Sequence, residues 1–163
     1  MSDNLLHIAL PPYLAQWYIH ANGGEHPITL PRLSTENRLL EMCLIKRPSN
    51  IAVEELPESF VAIVIPEFKY KPSKKYNYLP KAAVDELTTC IRNRFLIEFW
   101  NDLHRTSKIG QRKDRLIEAW MESHGIEFND TNWNTLAKIY QRQQTNYRVR
   151  RYRARLKSKK RHR

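Results

Sequence analysis

The chain has 163 residues, 41% of them apolar, which is the size of one ordinary domain or of one domain with an appendage. No apolar run approaches the ~20 residues of a membrane span, and the start lacks the layout of a secretory signal. Two isolated cysteines, Cys43 and Cys90, speak against a disulfide scaffold or a four-cysteine zinc site, so a cytoplasmic protein is expected. The formal charge of +11 is spread very unevenly: Lys138 to Arg163 carries +12 with no acid, and the preceding 137 residues carry −1. Like charges so concentrated repel one another unless an anion is near, which points to a polyanionic partner.

In chain order, Leu5 to Leu10 is a short apolar segment that stops at Pro11-Pro12 and suits a strand. Pro12 then fits the first turn of a helix whose inward face is Tyr13, Leu14, Trp17 and Tyr18, ended by Asn22-Gly23-Gly24. Ile28 to Leu30 is a candidate second strand. Ser34 is placed to cap a helix with Leu39, Leu40, Cys43 and Leu44 as its apolar face. Glu54 to Glu58 is expected to be loop. Phe60 to Ile65 is the strongest strand, rich in β-branched and aromatic residues, and Lys69 to Lys75 is a basic connector.

From Pro80 the pattern becomes helical. Val84, Leu87, Ile91, Phe95, Phe99 and Leu103 recur at three and four residues, with Leu96 and Trp100 beside them, predicting a helix from about Pro80 to Arg105. That stripe can serve a homodimer as readily as a core. A second helix, Gln111 to Ser123, should turn Leu116, Ile117, Trp120 and Met121 inward. His124-Gly125-Ile126 fits its stop. A third helix begins near Asp130 or Thr131, either of which can cap it, and buries Trp133, Leu136, Ala137 and Tyr140.

A short helix, a turn and a basic helix in succession have the order of a helix-turn-helix, whose second helix enters the major groove. The outward residues near the start of that helix are Asn132, Asn134, Thr135, Lys138, Gln141 and Arg142. Asn, Gln and Arg can pair with adenine or guanine edges. The connector Gly125 to Asp130 is longer than the usual three or four residues. Beyond it, Arg148, Arg150, Arg151, Arg153, Arg155, Lys157, Lys159, Lys160 and Arg161 are phosphate-binding candidates, in a segment that is helical or disordered. Arginine outnumbers lysine there, and Tyr147 and Tyr152 offer stacking surfaces. Val149, Tyr152 and Leu156 share one helical line, too narrow for a membrane anchor but able to dock.

Enzymatic readings are weaker. Glu58, Glu67 and Lys69 imitate the two-acid-plus-lysine layout of metal-dependent nucleases, but such spacing is permissive and arises readily by chance. The histidines share no metal-ligand spacing, no glycine-rich phosphate loop exists, and Asp114, Glu118 and Glu122 fit a solvated helix face. No catalytic residue, metal or cofactor is expected.

Pro12-Tyr13-Leu14-Ala15-Gln16-Trp17, Tyr76-Asn77-Tyr78-Leu79-Pro80, and the block from Ile117 to Arg142 with its Ala119-Trp120-Met121-Glu122, His124-Gly125-Ile126 and Asn132-Trp133 resemble small basic proteins of Bacteroidales phages and integrated mobile elements. The resemblance spans most of the chain and implies a mobile-element setting, without an activity or a catalytic residue.

The sequence therefore predicts an α+β fold with three parts. Residues 1–79 form a mixed part with short strands, 80–147 a helical, helix-turn-helix-like part, and 148–163 a basic extension. The expected function is noncatalytic DNA binding in the bacterial cytoplasm or nucleoid, in transcription control or as an accessory to replication or recombination. RNA binding within a ribonucleoprotein is the alternative, and a structural or assembly protein whose tail contacts nucleic acid is the third reading.

Overall fold

The computed structural model describes residues 4–50, 56–106 and 112–161, the last four as backbone. The architecture is α+β: short strands and two helices come first, and three further helices follow. The described residues fall into two compact units. One runs to Glu98 and includes His124–Ile126; the other holds the rest. The break lies inside a helix, eighteen residues after its first residue, Lys81, rather than at the change of pattern before it.

In the first unit, β1 (Leu5–Ala9) pairs antiparallel with the later strand Phe60–Val64, Leu6 opposite Ile63 and Ile8 opposite Val61. The alternation in β1 sends Leu6 and Ile8 into the core and leaves its other residues outside. The expected strand at Ile28 is only a bridge. Its N–H donates to the Ala62 carbonyl at 2.8 Å and its carbonyl accepts from Val64 N–H at 2.9 Å, along the far edge of Phe60–Val64. That strand, paired on both edges, buries Val61, Ala62 and Ile63, which explains its unbroken apolar run.

Helix α1 (Pro12–Ala21) starts on proline and ends where Gly23 and Gly24 take positive φ; Tyr13, Leu14, Trp17 and Tyr18 are buried as expected. Helix α2 (Thr35–Cys43) is capped by Ser34, whose hydroxyl accepts from Asn37 N–H at 3.1 Å. Its inward face is rotated from the expected one. Glu36, Asn37, Leu40 and the following Leu44 are buried, while Leu39 and Cys43 are half-exposed. The rotation brings the Glu36 carboxylate to 3.2 Å from Arg94. The chain continues as β2 (Ile45–Lys46); Phe60–Val64 is β3, and β4 (Tyr76–Tyr78) pairs antiparallel with β2. This small ribbon is stapled by Lys71. Its ammonium donates to the carbonyls of Glu41, Met42 and Leu44 at 2.6, 2.9 and 3.0 Å, closing the C-terminal end of α2. The acidic stretch read as loop is irregular from Leu56 on, and residues 51–55 lie outside the described ones.

Helix α3 (Lys81–Thr106) follows the predicted stripe: Leu87, Ile91, Phe95, Phe99 and Leu103 are all buried. Within the first unit, Phe95 meets the Tyr13 and Trp17 rings edge-on at 5.4 and 5.3 Å. Val84, Leu96 and Trp100 of the predicted stripe are half-buried.

In the second unit, α4 (Lys113–Ser123) buries Leu116, Ile117, Trp120 and Met121 as predicted. Trp120 packs edge-on against Phe99 at 4.8 Å and donates its indole N–H to Asp102 at 3.2 Å. Gly125 takes φ +67°, the left-handed position a helix stop requires. Helix α5 (Asp130–Arg161) then runs for 32 residues, about 48 Å at the standard rise. The basic extension continues this helix as far as Arg161.

Candidate nucleic-acid interface

Helix α5 opens on a cap that sequence inspection misplaced. Asn129 holds it: its side-chain oxygen accepts the Asn132 N–H at 2.8 Å, and its backbone carbonyl accepts from Trp133 at 2.9 Å. Asn132 is consequently turned inward. It is only 2% exposed, and its amide donates to the Glu127 carbonyl at 3.0 Å, so it presents no edge to a groove. Its expected place among groove-facing residues is corrected: it fastens the connector to the helix.

Asn134, Lys138, Gln141 and Arg142 do face outward and are exposed or half-exposed. Thr135 is half-buried, and its hydroxyl donates back to the Thr131 carbonyl at 2.8 Å, the local bond that Ser and Thr make within helices. On the opposite face Leu136 and Tyr140 are buried. The Lys113 ammonium at the start of α4 donates to Gln144 of α5 at 3.1 Å. With Arg148 close by, a shallow groove between α4 and α5 is polar and mainly cationic at its rim.

Further along, burial ends. Arg148, Arg150, Arg151, Arg153, Arg155 and Lys157 are all exposed. Lys159, Lys160 and Arg161 continue the helix, with side chains outside the described set. Sequence reasoning missed an aromatic cluster at this point. Trp100 and His104, one turn apart on α3, stack at 4.9 Å, and Tyr147 of α5 lies 5.7 Å from the indole and 4.6 Å from the imidazole. The i, i+4 spacing of Trp100 and His104 was the available signal. Tyr147, 37% exposed, closes the packed part of α5 at the point where the dense run of arginines begins.

Two residues of the nuclease-like pattern, Glu67 and Lys69, make local contacts. Glu67 accepts both the hydroxyl and, at 3.2 Å, the N–H of Ser73, and these bonds hold its carboxyl below the usual carboxylate range. Lys69 lies over the Tyr70 ring at 5.2 Å, and Glu58 is exposed in an irregular segment. Burial pushes the Cys90 thiol up, with Glu36 and Glu86 adding to the effect, which disfavours the nucleophilic thiolate. Among the described residues, no helix is long and apolar enough to cross a membrane. Comparisons with protein-family models, curated proteins and solved structures find no match to this chain.

Proposed function

We propose that this chain is a noncatalytic DNA-binding protein of a phage or mobile element, acting as a transcription regulator or as an accessory factor in replication or recombination. One observation carries the reading: the basic run is the second half of a single long helix, and its side chains from Arg148 to Lys157 all face solvent. Cations on a regular helix are held at fixed spacing, which suits a regular array of phosphates better than a general solubilising role. In this reading α4, the connector and α5 dock in helix-turn-helix fashion, with Asn134, Lys138, Gln141 and Arg142 offered to base edges.

Gel-shift titration of the purified chain against duplex DNA, single-stranded DNA and structured RNA at several salt concentrations tests this. Duplex DNA should be bound with a steep salt dependence. Changing Arg150, Arg151 and Arg153 to Gln should flatten the log–log slope by about 0.9 for each phosphate no longer engaged. The exposed Tyr152 among arginines favours RNA as the second reading. Tighter binding to structured RNA than to duplex DNA would put that reading first.

A further inference from the structure

Resting on the DNA-binding reading, we propose that the segment of α5 from Arg148 to Lys157 lies lengthwise in the major groove of duplex DNA. Its apolar line faces the base edges, and its cations reach the phosphate walls on both sides.

Across these ten residues every side chain is exposed, six of the ten are Arg or Lys, and none is acidic. Val149, Tyr152 and Leu156 are 41, 64 and 45% exposed. Their spacing of three and four residues puts them on one face. At about 100° per residue, that face is roughly opposite the one on which Leu136 and Tyr140 are buried, so the line points away from the packed side of α5. Arg148 and Arg155 run along one flank of the line and Arg153 along the other, with Arg150, Arg151 and Lys157 further round. The outward row Asn134, Lys138 and Gln141 lies on the same side, so reading positions and apolar line form one continuous face.

The distribution of cations selects the partner. A flat anionic surface or a single strand reaches one side of a helix and leaves the cations on the other sides without an anion. The major groove of B-form DNA is about 12 Å wide and 8.5 Å deep, against about 10–12 Å for a helix with its side chains. A helix lying in it has phosphates on both flanks and over most of its depth. The minor groove, about 6 Å wide, cannot admit it, and the major groove of A-form RNA is deep and too narrow. On the floor of the DNA groove, thymine C5 methyl groups are the natural contact for valine and leucine. Three residues are too narrow an apolar face to hold a helix at a bilayer. The like-charged neighbours Arg150–Arg153 and Arg153–Lys157, three and four apart, also oppose the helix when it is free. Phosphates on both sides remove that opposition, so binding should add helix.

The test uses the full chain on a 30-bp duplex treated with dimethyl sulfate, which methylates guanine N7 in the major groove and adenine N3 in the minor groove. Guanine N7 should be protected and adenine N3 should not. Replacing thymine by uracil throughout the duplex should weaken binding by about fourfold for each thymine methyl that had been covered, the value of one buried methyl. An RNA duplex of the same sequence should bind about tenfold more weakly. The double variant Val149→Ser, Leu156→Ser alters only exposed side chains and should erase the thymine–uracil difference while keeping the helical content of the free protein. Adenine N3 protection, equal affinity for the RNA duplex, or a thymine–uracil difference that survives the double variant would overturn the groove assignment and leave DNA binding standing. Binding to phosphatidylserine vesicles with no shift of any nucleic acid would overturn both.

Discussion

Helices α3 and α5 are the two longest elements of the molecule, and they are made in opposite ways. In α3, Leu87, Ile91, Phe95, Phe99 and Leu103 are buried in succession, so each turn of the helix is held by apolar side chains removed from water. In α5 the buried apolar side chains are Leu136 and Tyr140, with Trp133 and Ala137, also expected inside, only half-buried; from Arg148 to Lys157 nothing is buried. Charge follows the same division. Arg94 of α3 is committed to the chain's own structure, ion-paired with the buried Glu36 and lying over the Trp17 ring at 5.6 Å. The cations of distal α5, from Arg148 to Lys157, are all exposed. In the proposed reading such a segment serves binding rather than folding.

The sharpest way to break this contrast is to truncate one aromatic side chain on each helix. Phe95→Ala or Phe99→Ala, at fully buried positions of α3, should cost about 3–5 kcal/mol in urea-induced unfolding. Tyr152→Ala on α5, at a 64% exposed position, should stay within about 0.5 kcal/mol. A comparable destabilisation from Tyr152→Ala would mean that distal α5 is packed in solution.

Arg94→Ala comes next. It leaves the Glu36 carboxylate, 3% exposed, without this cation, the situation that makes broken buried pairs expensive. Arg94 itself is 40% exposed on its side chain, so water can enter in its place, and the cost should be about 1–2 kcal/mol rather than the full value. A double-mutant cycle with Glu36→Gln measures the pair directly, and a coupling near zero would show that the buried acid is held by other contacts. The matching change on α5, Arg150→Ala, should leave stability untouched and lower nucleic-acid affinity.

Gly125→Ala should cost a further ~1–2 kcal/mol, through its left-handed backbone and through crowding. A Cβ there would approach the His20 ring at 2.9 Å and His20 Cβ at 3.0 Å. Thermal melts of Gly125→Ala with and without His20→Ala separate the two causes. Only the crowding part should be recovered in the double variant, and full recovery would show that the backbone is unstrained.

How much of this was legible in the sequence depended on whether the cause was local. The stripe of α3, the inward face of α4 and the stop at Gly125 follow from residues three and four apart, and all were readable. The face of α2 was not, because its rotation is set by Arg94, 58 positions away from Glu36. Lys71 reads as one cation in a basic connector, yet it closes the end of α2 from nearly thirty residues off. Strands β2 and β4, of two and three residues, are too short to show a period. Ile28 carried the apolar signal of a strand but makes only a bridge. At the candidate interface the cations were read from composition alone. Asn132 was misread because Asn serves equally well for caps and for base edges, and only the connector's path decides between them.

A smaller effect attaches to Glu67, an exposed charge bonded to Ser73 of its own chain. Its bonds from Ser73 lower its carboxyl below the ordinary value of 4.5. A depressed folded-state pKa stabilises the protein above the unfolded value, and that contribution is lost as pH falls from about 4.5 through the lower folded value. Ser73→Ala should return the titration of the Glu67 carboxyl, followed by NMR, toward 4.5 and flatten the acid-side slope of stability. An unchanged titration would assign the shift to another neighbour.

The smallest expected effect on stability is the most informative for the contrast. Ending the chain after Tyr147 removes every residue of the exposed run and keeps the packed residues Leu136 and Tyr140, together with the Tyr147 ring against Trp100 and His104. No fully buried apolar side chain goes with the run, so little transfer free energy is forfeited. The like-charge repulsion within the run disappears, and the cost of ordering an unsupported helix disappears too. The truncated protein should therefore melt cooperatively within a few degrees of the full chain, with a shift as easily upward as downward. Its duplex-DNA affinity should fall steeply, and its salt slope should flatten, if the proposed phosphate contacts reside in the removed part. A noncooperative melt would show that Val149, Tyr152 and Leu156 are core residues after all. An unchanged salt slope would place the phosphate contacts on the cations that remain, Lys138 and Arg142 among them.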